Sequence, residues 1–331
     1  MAGYLLTNGE IKKYFANETE LWAGFNYVFS DACAKRSTYK FGLVKAILDN
    51  LFSAQESPRG MEINYSVLFA KFAENYWNVV MKYHLKQMKP DGRSEITRLE
   101  KIFSSLAGQN CVNEKIEFES LPEENRNRII AEISKECRKY VVGALYKDFD
   151  GILYGFDLKD SGIWLNPVAF EFMLKFKIEI EQLNYYAWAK FMERINSDEA
   201  IRHVLSKLEL STPRRQDLSI YRKILYDEFE NCNCFYCGRK LNKAVHVDHV
   251  IPWTFIKSDH LWNFVLACPG CNSRKKDFLP NKTDLSRVIS RNETLQRSHN
   301  SIVHEEFVGY SANMLWSIWD YAKLSGLRVS K

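Results

Sequence analysis

Residues 234–280 read CFYCGRKLNKAVHVDHVIPWTFIKSDHLWNFVLACPGCNSRKKDFLP, and this stretch decides the fold of the last third of the chain. It contains two Cys-x-x-Cys pairs, Cys234/Cys237 and Cys268/Cys271, with 30 residues between them. Each pair can hold a metal ion through two thiolates, and the two pairs together complete a tetrahedral shell of four sulfurs. Soft thiolates in a closed tetrahedral site favour zinc. We therefore predict a structural Zn²⁺ site made of these four cysteines.

Two disulfides are the competing interpretation of the same cysteines. The N-terminal sequence MAGYLLTNGEIKKYFANE, residues 1–18, has acidic residues where export and transit signals avoid them, so we expect a cytoplasmic protein. Disulfides are rare in that compartment. The Gly and Pro inside the pairs also argue against disulfides, so zinc is the favoured interpretation. Cys232 breaks the spacing, and we expect it to lie outside the site.

The composition is that of a globular protein of 331 residues, with 46% hydrophobic and 26% charged residues. The length favours two domains. No apolar run approaches the roughly 18 residues of a membrane span, so no membrane partner is expected. Residues 231–331 hold 14 Lys+Arg against 8 Asp+Glu, a net +6 in a chain of net +5, so the first 230 residues carry a net −1. A basic, cysteine-rich segment attached to a neutral remainder favours a nucleic-acid partner.

The first 230 residues have the periodicity of amphipathic helices. Apolar residues such as Phe41, Val44 and Ile47 recur at three- and four-residue spacing. We interpret the aromatic stripes of this region as helix-packing core. The less regular stretch at 148–167 predicts a short hairpin or a loop. Helices are predicted over 41–52, 64–88, 120–146, 167–195, 198–208 and 216–230.

The stretch between the cysteine pairs has the pattern of two short strands. Val245 and Val247 alternate with polar residues and predict a strand that ends before Pro252. Residues 259–267 predict a loop that leads into a second strand, and residues 271–276 predict the start of a short helix. The expected order is strand, loop, strand, helix, with a cysteine pair at each end.

Three polar residues of this segment have the chemistry of phosphodiester hydrolysis. That reaction needs an activated water and positive charge near the leaving oxygen. His249 is the candidate general base, because imidazole titrates near neutral pH. Asp248 would supply one hard oxygen ligand to a divalent ion, and the amide oxygen of Asn272 the second. A site with so few protein ligands leaves places for water and phosphate, so the expected catalytic ion is Mg²⁺ or Mn²⁺.

Basic residues follow the predicted metal ligand on the short helix. Lys275 and Lys276 stand three and four positions after Asn272, so they share its helix face and are expected to hold phosphates. Arg274 extends this expected phosphate-binding face, although a solvated helix face explains it almost as well. His246 lies on the same strand face as Asp248, where a role near the substrate is slightly favoured over a solvated side chain.

These residues together resemble an HNH endonuclease, the ββα-metal or His-Me finger nuclease fold, in its four-cysteine zinc form. The family pattern combines Cys-x-x-Cys, Asp-His-x-x-Pro, a central Asn, a Leu and Cys-x-x-Cys-Asn-x-x-Lys. The resemblance covers about residues 231–280. The positions that match are Cys234, Cys237, Asp248, His249, Pro252, Asn263, Leu266, Cys268, Cys271, Asn272 and Lys275.

The resemblance implies a ββα-metal fold and cleavage of DNA to leave a 5′-phosphate, with RNA the less expected substrate. It also implies that Asn263 is the central Asn of the family, which braces the loop that carries the catalytic histidine. HNH proteins of this general layout occur as nucleases of bacterial antiviral or restriction systems. The resemblance therefore implies a nuclease effector of such a system, with proteins of a defence complex or a second copy of the chain as further partners.

The expected architecture is mainly α. It consists of a helical domain at 1–215, a zinc-stapled ββα-metal module at 216–298 with its core at 231–280, and C-terminal helical residues at 299–331 that pack on the body. The helical domain is expected to recruit or regulate the nuclease, or to position DNA. The alternative function is a non-catalytic zinc module that only binds nucleic acid or a partner protein. The intact Asp-His and Cys-Asn positions argue against it, because a degenerate module would have no need of them.

Overall fold

The structure is a computed structural model that describes residues 6–90, 92, 94–110, 116–209, 218–229, 233–241 and 244–330. Cys232 and the domain boundary predicted at residue 215 lie outside these residues. The described part is mainly helical, as predicted. The chain divides into two compact units, Met1–Met173 with Lys177–Pro213, and Leu174–Phe176 with Arg214–Lys331. None of the helices described is both long enough and apolar enough to cross a membrane.

The first unit is built from helices that agree in outline with the periodicity. The third helix is continued by a π-helical turn at Asn78–Lys82, so its helical run ends before the predicted limit at residue 88. The predicted helix over 167–195 is interrupted at Phe176 and forms two helices. The helices are α1 Glu18–Phe29, α2 Tyr39–Asp49, α3 Tyr65–Trp77, α4 Arg98–Asn110, α5 Glu123–Asp148, α6 Pro167–Lys175, α7 Lys177–Glu193 and α8 Val204–Glu209.

The first unit also contains an antiparallel sheet of five short strands. The stretch at 148–167 forms the expected hairpin, in which Phe156 pairs with Ile163. The strands outside this hairpin were not predicted, although the region is mostly helical as expected. The strand order is β1-β4-β5-β3-β2, where β1 is Asn8–Gly9, β2 Gln55–Ser57, β3 Gly60–Asn64, β4 Tyr154–Asp157 and β5 Gly162–Leu165.

The core of the first unit is aromatic, as the stripes indicated. Tyr76, Trp77 and Trp188 are almost fully buried, and the rings of Tyr76 and Trp188 lie 4.9 Å apart. Charged groups are also buried in this unit: Lys45 is 1% exposed and pairs with Asp49, and its ammonium also lies 3.3 Å from Glu181. Buried charges of this kind are tolerated only when they are paired. The aromatic residues therefore pack the helices together.

The second unit contains the cysteine-rich segment. A two-stranded antiparallel sheet is followed directly by a short helix, which is the expected strand, loop, strand, helix order. The last helix packs on the long helix that follows the ββα segment. The elements are α9 Ser219–Asp227, β6 His246–His249, α10 Trp253–Ile256, β7 Phe264–Ala267, α11 Pro269–Lys275, α12 Lys282–Leu295, α13 Ser301–Glu306 and α14 Ala312–Leu324.

Candidate functional site

The four cysteines of the two Cys-x-x-Cys pairs form one cluster. Their sulfur atoms all lie within 4.8 Å of one another, and none of the four is in a disulfide. Sulfurs bound 2.3 Å from a tetrahedral zinc ion are about 3.8 Å apart, so a small closure of the cluster gives that geometry. Cys234 begins a tight turn that Gly238 closes at a φ of 69°. Cys268 is the residue that precedes α11. The prediction that the two Cys-x-x-Cys pairs come together in one cluster is confirmed.

The four sulfurs of this cluster lie close enough together to bind one cation. Burial disfavours the charged thiolate of Cys234, but hydrogen bonds from the backbone N–H groups of Cys268, Cys237 and Tyr236 lower its pKa to about 7. Burial and the neighbouring sulfurs raise the pKa of Cys271 to about 12. Four thiolates so close together repel one another unless a cation lies among them. The donor set is the one that zinc prefers.

The hairpin of β6 and β7 sets the direction of the predicted site residues. His246 pairs with Ala267, so this end of β6 lies next to the cysteine cluster. His249 pairs with Phe264, so the other end lies next to the loop between the two strands. Successive side chains on a strand alternate between faces, so His246 and Asp248 share one face of β6. The expected strand arrangement around the candidate residues is therefore present.

Asp248 is buried, and two of the described residues contact its carboxylate. Its Oδ2 accepts a hydrogen bond of 2.6 Å from the Tyr236 hydroxyl, and it lies 3.5 Å from the Lys275 ammonium. Burial and the neighbouring Asp248 carboxylate raise the pKa of Tyr236 well above its usual value, so the phenol keeps its proton and donates. Lys275 Nζ also donates to the backbone oxygen of His249 at 2.5 Å. Both contacts to the carboxylate fall on Oδ2.

Asn272 lies on the first turns of α11, one residue after a cysteine of the cluster. Its Nδ2 lies 2.8 Å from Nδ1 of His246. An amide NH₂ group can only donate, so the imidazole nitrogen is the acceptor. This bond directs the amide oxygen of Asn272 away from His246. The structure thus brings together two residues that stand 26 positions apart in sequence.

His249 lies in a nearly closed environment. Its Nε2 is 2.9 Å from Oδ1 of Asp259, and the two side chains are only 5% and 8% exposed. The imidazole ring packs edge-on against Trp253 and Phe264, with centroids 5.2 and 4.6 Å away. A buried carboxylate beside one ring nitrogen fixes the orientation of the ring and favours a proton on that nitrogen.

Asn263 is fully buried in the loop between the strands. Its Oδ1 accepts from the backbone N–H of Ile251 at 2.8 Å, and its Nδ2 donates to the backbone oxygen of the same residue at 2.9 Å. The backbone oxygen of Asn263 also accepts from Val250 N–H at 2.8 Å. These contacts hold Val250 and Ile251, the two residues that follow His249. Asn263 is 0% exposed, so its side chain has no access to a substrate.

Residues of α12 and α13 also form hydrogen bonds with the backbone of this loop. Arg291 donates to the backbone oxygens of Phe264 and Trp262, and burial lowers the pKa of its guanidinium to about 10. Glu306 accepts from Leu261 N–H at 3.1 Å. Through these contacts Arg291 supports the backbone of the loop.

The predicted phosphate-binding residues have different surroundings. Lys276 and Arg274 are exposed, and an Arg274 nitrogen also lies 3.2 Å from the sulfur of Cys271. Lys275 is 8% exposed and its ammonium lies inside the site, between Asp248 and the backbone of His249. The ammonium of Lys275 therefore contacts groups of the protein itself, and its expected contact with a phosphate stays a prediction.

Two residues of the site were missed by sequence reasoning. Asp259 follows His249 by ten positions in a loop, and Tyr236 lies inside the first cysteine pair, where it could have been read as packing. Neither has a spacing that marks it as a partner of another residue. Only the fold brings Asp259 to His249 and Tyr236 to Asp248.

Residues 234–278 match the HNH endonuclease family. No curated protein and no solved structure matches the chain. The match coincides with the segment that carries the four-cysteine cluster, the hairpin and α11. The chain therefore carries an HNH endonuclease domain at 234–278.

Proposed function

We propose that this protein is a metal-dependent endonuclease that hydrolyses DNA phosphodiester bonds through its HNH domain. The observation that supports it best is the placement of the candidate residues on one hairpin and the helix that follows. A buried His249–Asp259 pair and two oxygen donors, on Asp248 and Asn272, all belong to this short segment. Such a combination supplies a base and a cation site for hydrolysis.

The residues present fit a divalent cation. Among the residues that the structure describes, the partners of Asp248 contact its Oδ2, and its Oδ1 is the proposed ligand. The amide nitrogen of Asn272 is bonded to His246, which leaves its Oδ1 as a second ligand. Hard oxygen donors of this kind suit Mg²⁺ or Mn²⁺. When bound, the ion would polarise the scissile phosphate and stabilise charge on the departing 3′ oxygen.

His249 acts in this proposal as the general base. Asp259 holds the Nε2 proton, so Nδ1 takes the proton from the attacking water. Asn263 keeps the backbone after His249 in place, and Lys275 joins the backbone of His249 to the Asp248 carboxylate. The exposed Lys276 and Arg274 contact DNA phosphates, and Zn²⁺ in the cysteine cluster holds α11 against the hairpin.

The wider role rests on the family resemblance. HNH nucleases of this layout serve bacterial defence or restriction, and we propose that this chain is the nuclease effector of such a system. The first unit, with its own aromatic core and sheet, then recruits or regulates the nuclease or positions DNA. Partner proteins of a defence complex, or a second copy of the chain, are its proposed partners in the cytoplasm.

Cleavage assays on the full chain test the nuclease proposal. Plasmid, linear and single-stranded DNA are incubated with Mg²⁺, Mn²⁺ or Ni²⁺, with and without candidate partner proteins. Asp248→Ala, His249→Ala and Asn272→Ala are each expected to abolish cleavage, whereas His299→Ala, which removes an exposed histidine outside the site, retains it. DNA binding without cleavage under every condition would favour the non-catalytic zinc module instead.

A further inference from the structure

We propose that Tyr236 is a positioning residue that links the cysteine cluster to the cation site. It does so by holding the carboxylate of Asp248 in the orientation that a cation needs. This inference rests on the proposed function, because it assumes that Asp248 is a cation ligand. It adds a mechanical connection between the two metal sites, one for a structural ion and one for a catalytic ion.

The first step of the inference is the contact itself. Tyr236 Oη lies 2.6 Å from Oδ2 of Asp248, across 12 positions of sequence. A carboxylate on a strand can rotate about its side-chain bonds, and a hydrogen bond to one oxygen removes that freedom. Because the Lys275 ammonium lies near the same oxygen, at 3.5 Å, Oδ1 is the oxygen directed to the cation.

The second step is that the cysteine pair fixes the position of Tyr236. The residue lies between Cys234 and Cys237, in a turn closed by a 2.8 Å hydrogen bond from Gly238 N–H to the backbone oxygen of Cys234. Phe235 N–H donates to the backbone oxygen of Leu266 at 2.9 Å, which joins the turn to β7. The two sulfurs that flank Tyr236 belong to the four-sulfur cluster, so an ion held there keeps the turn closed.

The third step is that the second oxygen ligand is tied to the same cluster. Asn272 follows Cys271 directly, and its backbone N–H donates to the backbone oxygen of Cys268 at 3.0 Å. One cation ligand is therefore connected to the cluster through the main chain and the other through the hydroxyl of Tyr236. Occupancy of the cysteine cluster and affinity at the cation site are coupled through these two connections.

A tyrosine that only packed would behave like phenylalanine at this position. The ring of Tyr236 contacts Phe235 edge-on at 5.2 Å, and a phenylalanine ring in its place would keep that contact. Only the hydroxyl contacts Asp248. Substitution Tyr236→Phe thus separates packing from positioning, and removal of an outer hydrogen bond to a metal ligand typically weakens metal binding by about 10- to 100-fold.

The test measures Mn²⁺ binding rather than cleavage. Full-length protein that contains one zinc per chain by elemental analysis is titrated with Mn²⁺, and free Mn²⁺ is followed by electron paramagnetic resonance. Tyr236→Phe is expected to weaken the Asp248-dependent Mn²⁺ affinity by about 10- to 100-fold, with zinc content unchanged. The matched control is Tyr65→Phe in the first unit, which removes a hydroxyl that donates to the backbone oxygen of Asp157 at 3.1 Å and is expected to leave Mn²⁺ affinity unchanged.

The outcomes distinguish this inference from the proposed function. Equal Mn²⁺ affinity of Tyr236→Phe and the unaltered protein, with Asp248→Ala still abolishing binding, would overturn the link and leave the nuclease proposal intact. Loss of zinc from Tyr236→Phe would also overturn it, since the hydroxyl would then support the cluster instead of the carboxylate. Absence of any Asp248-dependent Mn²⁺ site in the unaltered protein would remove the proposed cation site, and the link with it.

Discussion

His249 Nε2 lies 2.9 Å from Asp259 Oδ1, and both side chains are more than nine-tenths buried. A buried carboxylate is costly unless it is paired, so this contact is a fixed feature of the loop and not a surface encounter. The carboxylate fixes the orientation of the imidazole ring. In the proposed mechanism this leaves Nδ1 as the nitrogen that accepts a proton from water.

Asp259→Asn is expected to slow DNA cleavage by about 10²-fold, within the range that a correctly placed general base contributes. The Asn side chain has nearly the same shape, but it lacks the charge and can present either its oxygen or its NH₂ group to Nε2. Cleavage rates at saturating Mn²⁺ and the ¹⁵N chemical shifts of the His249 ring check this result. Asp320→Asn, an exposed change on α14, is the control. An unchanged rate together with an unchanged tautomer would contradict the role of Asp259.

Asn263→Ala is expected to destabilise the second unit. It leaves the buried N–H and C=O of Ile251 without their side-chain partner, and each unsatisfied group costs about 1–3 kcal/mol. Urea unfolding followed by fluorescence measures the loss, with the exposed Asn313→Ala as the matched control. The proposed brace further requires that cleavage falls under conditions where the variant is still folded. A folded variant of full activity would show that the loop keeps its conformation without the Asn263 side chain.

Removal of the cysteine cluster is expected to remove zinc and loosen the HNH domain. Cys268→Ala and Cys271→Ala should each lower zinc content from one per chain to near zero, because three thiolates bind the ion far more weakly than four. Hydrogen exchange should then increase over residues 246–275 while residues 39–49 keep their protection. Cys33→Ala, which alters a cysteine of the first unit outside the cluster, should retain the zinc. Equal zinc content in all three variants would place the ion elsewhere.

The stability of the first unit is expected to fall as the pH rises. Burial raises the pKa of Glu74 from 4.5 to about 8. The Lys71 ammonium 2.8 Å away lowers the pKa, but the effect of burial is larger. Between pH 4.5 and about pH 8 the folded state holds a proton on Glu74 that the unfolded state has released. The contribution of Glu74 to stability is therefore highest near pH 4.5 and declines toward pH 8.

Substitution Glu74→Gln tests this pH dependence. The neutral amide carries no titratable proton. The melting temperature of the variant should therefore vary less between pH 6 and pH 8.5 than that of the unaltered protein. Differential scanning calorimetry at both pH values gives the comparison, and the exposed Glu123→Gln serves as control. If the melting temperatures of the Glu74 variant and the unaltered protein change with pH in parallel, the Glu74 carboxyl is not the cause of the pH-dependent stability.

Several features of the fold could not be read from the sequence. Three strands of the sheet, β1, β2 and β3, escaped notice because they are only two to five residues long. The interruption at Phe176 was missed because the apolar pattern of α6 and α7 continues across it. Periodicity reports which residues are apolar, but it does not report where a short strand finds a partner.

The sequence by itself determined the four-cysteine cluster, the order of strands and helix around it, and the candidate residues Asp248, His249 and Asn272. These are properties of spacing, because a metal cluster and a hairpin constrain positions along a single short segment. Only the tertiary structure decided that Asp259 pairs with His249, that Tyr236 contacts Asp248, and that Lys275 lies inside the site. Those contacts depend on how loops and helices pack, and packing direction is set by the whole unit rather than by neighbouring residues.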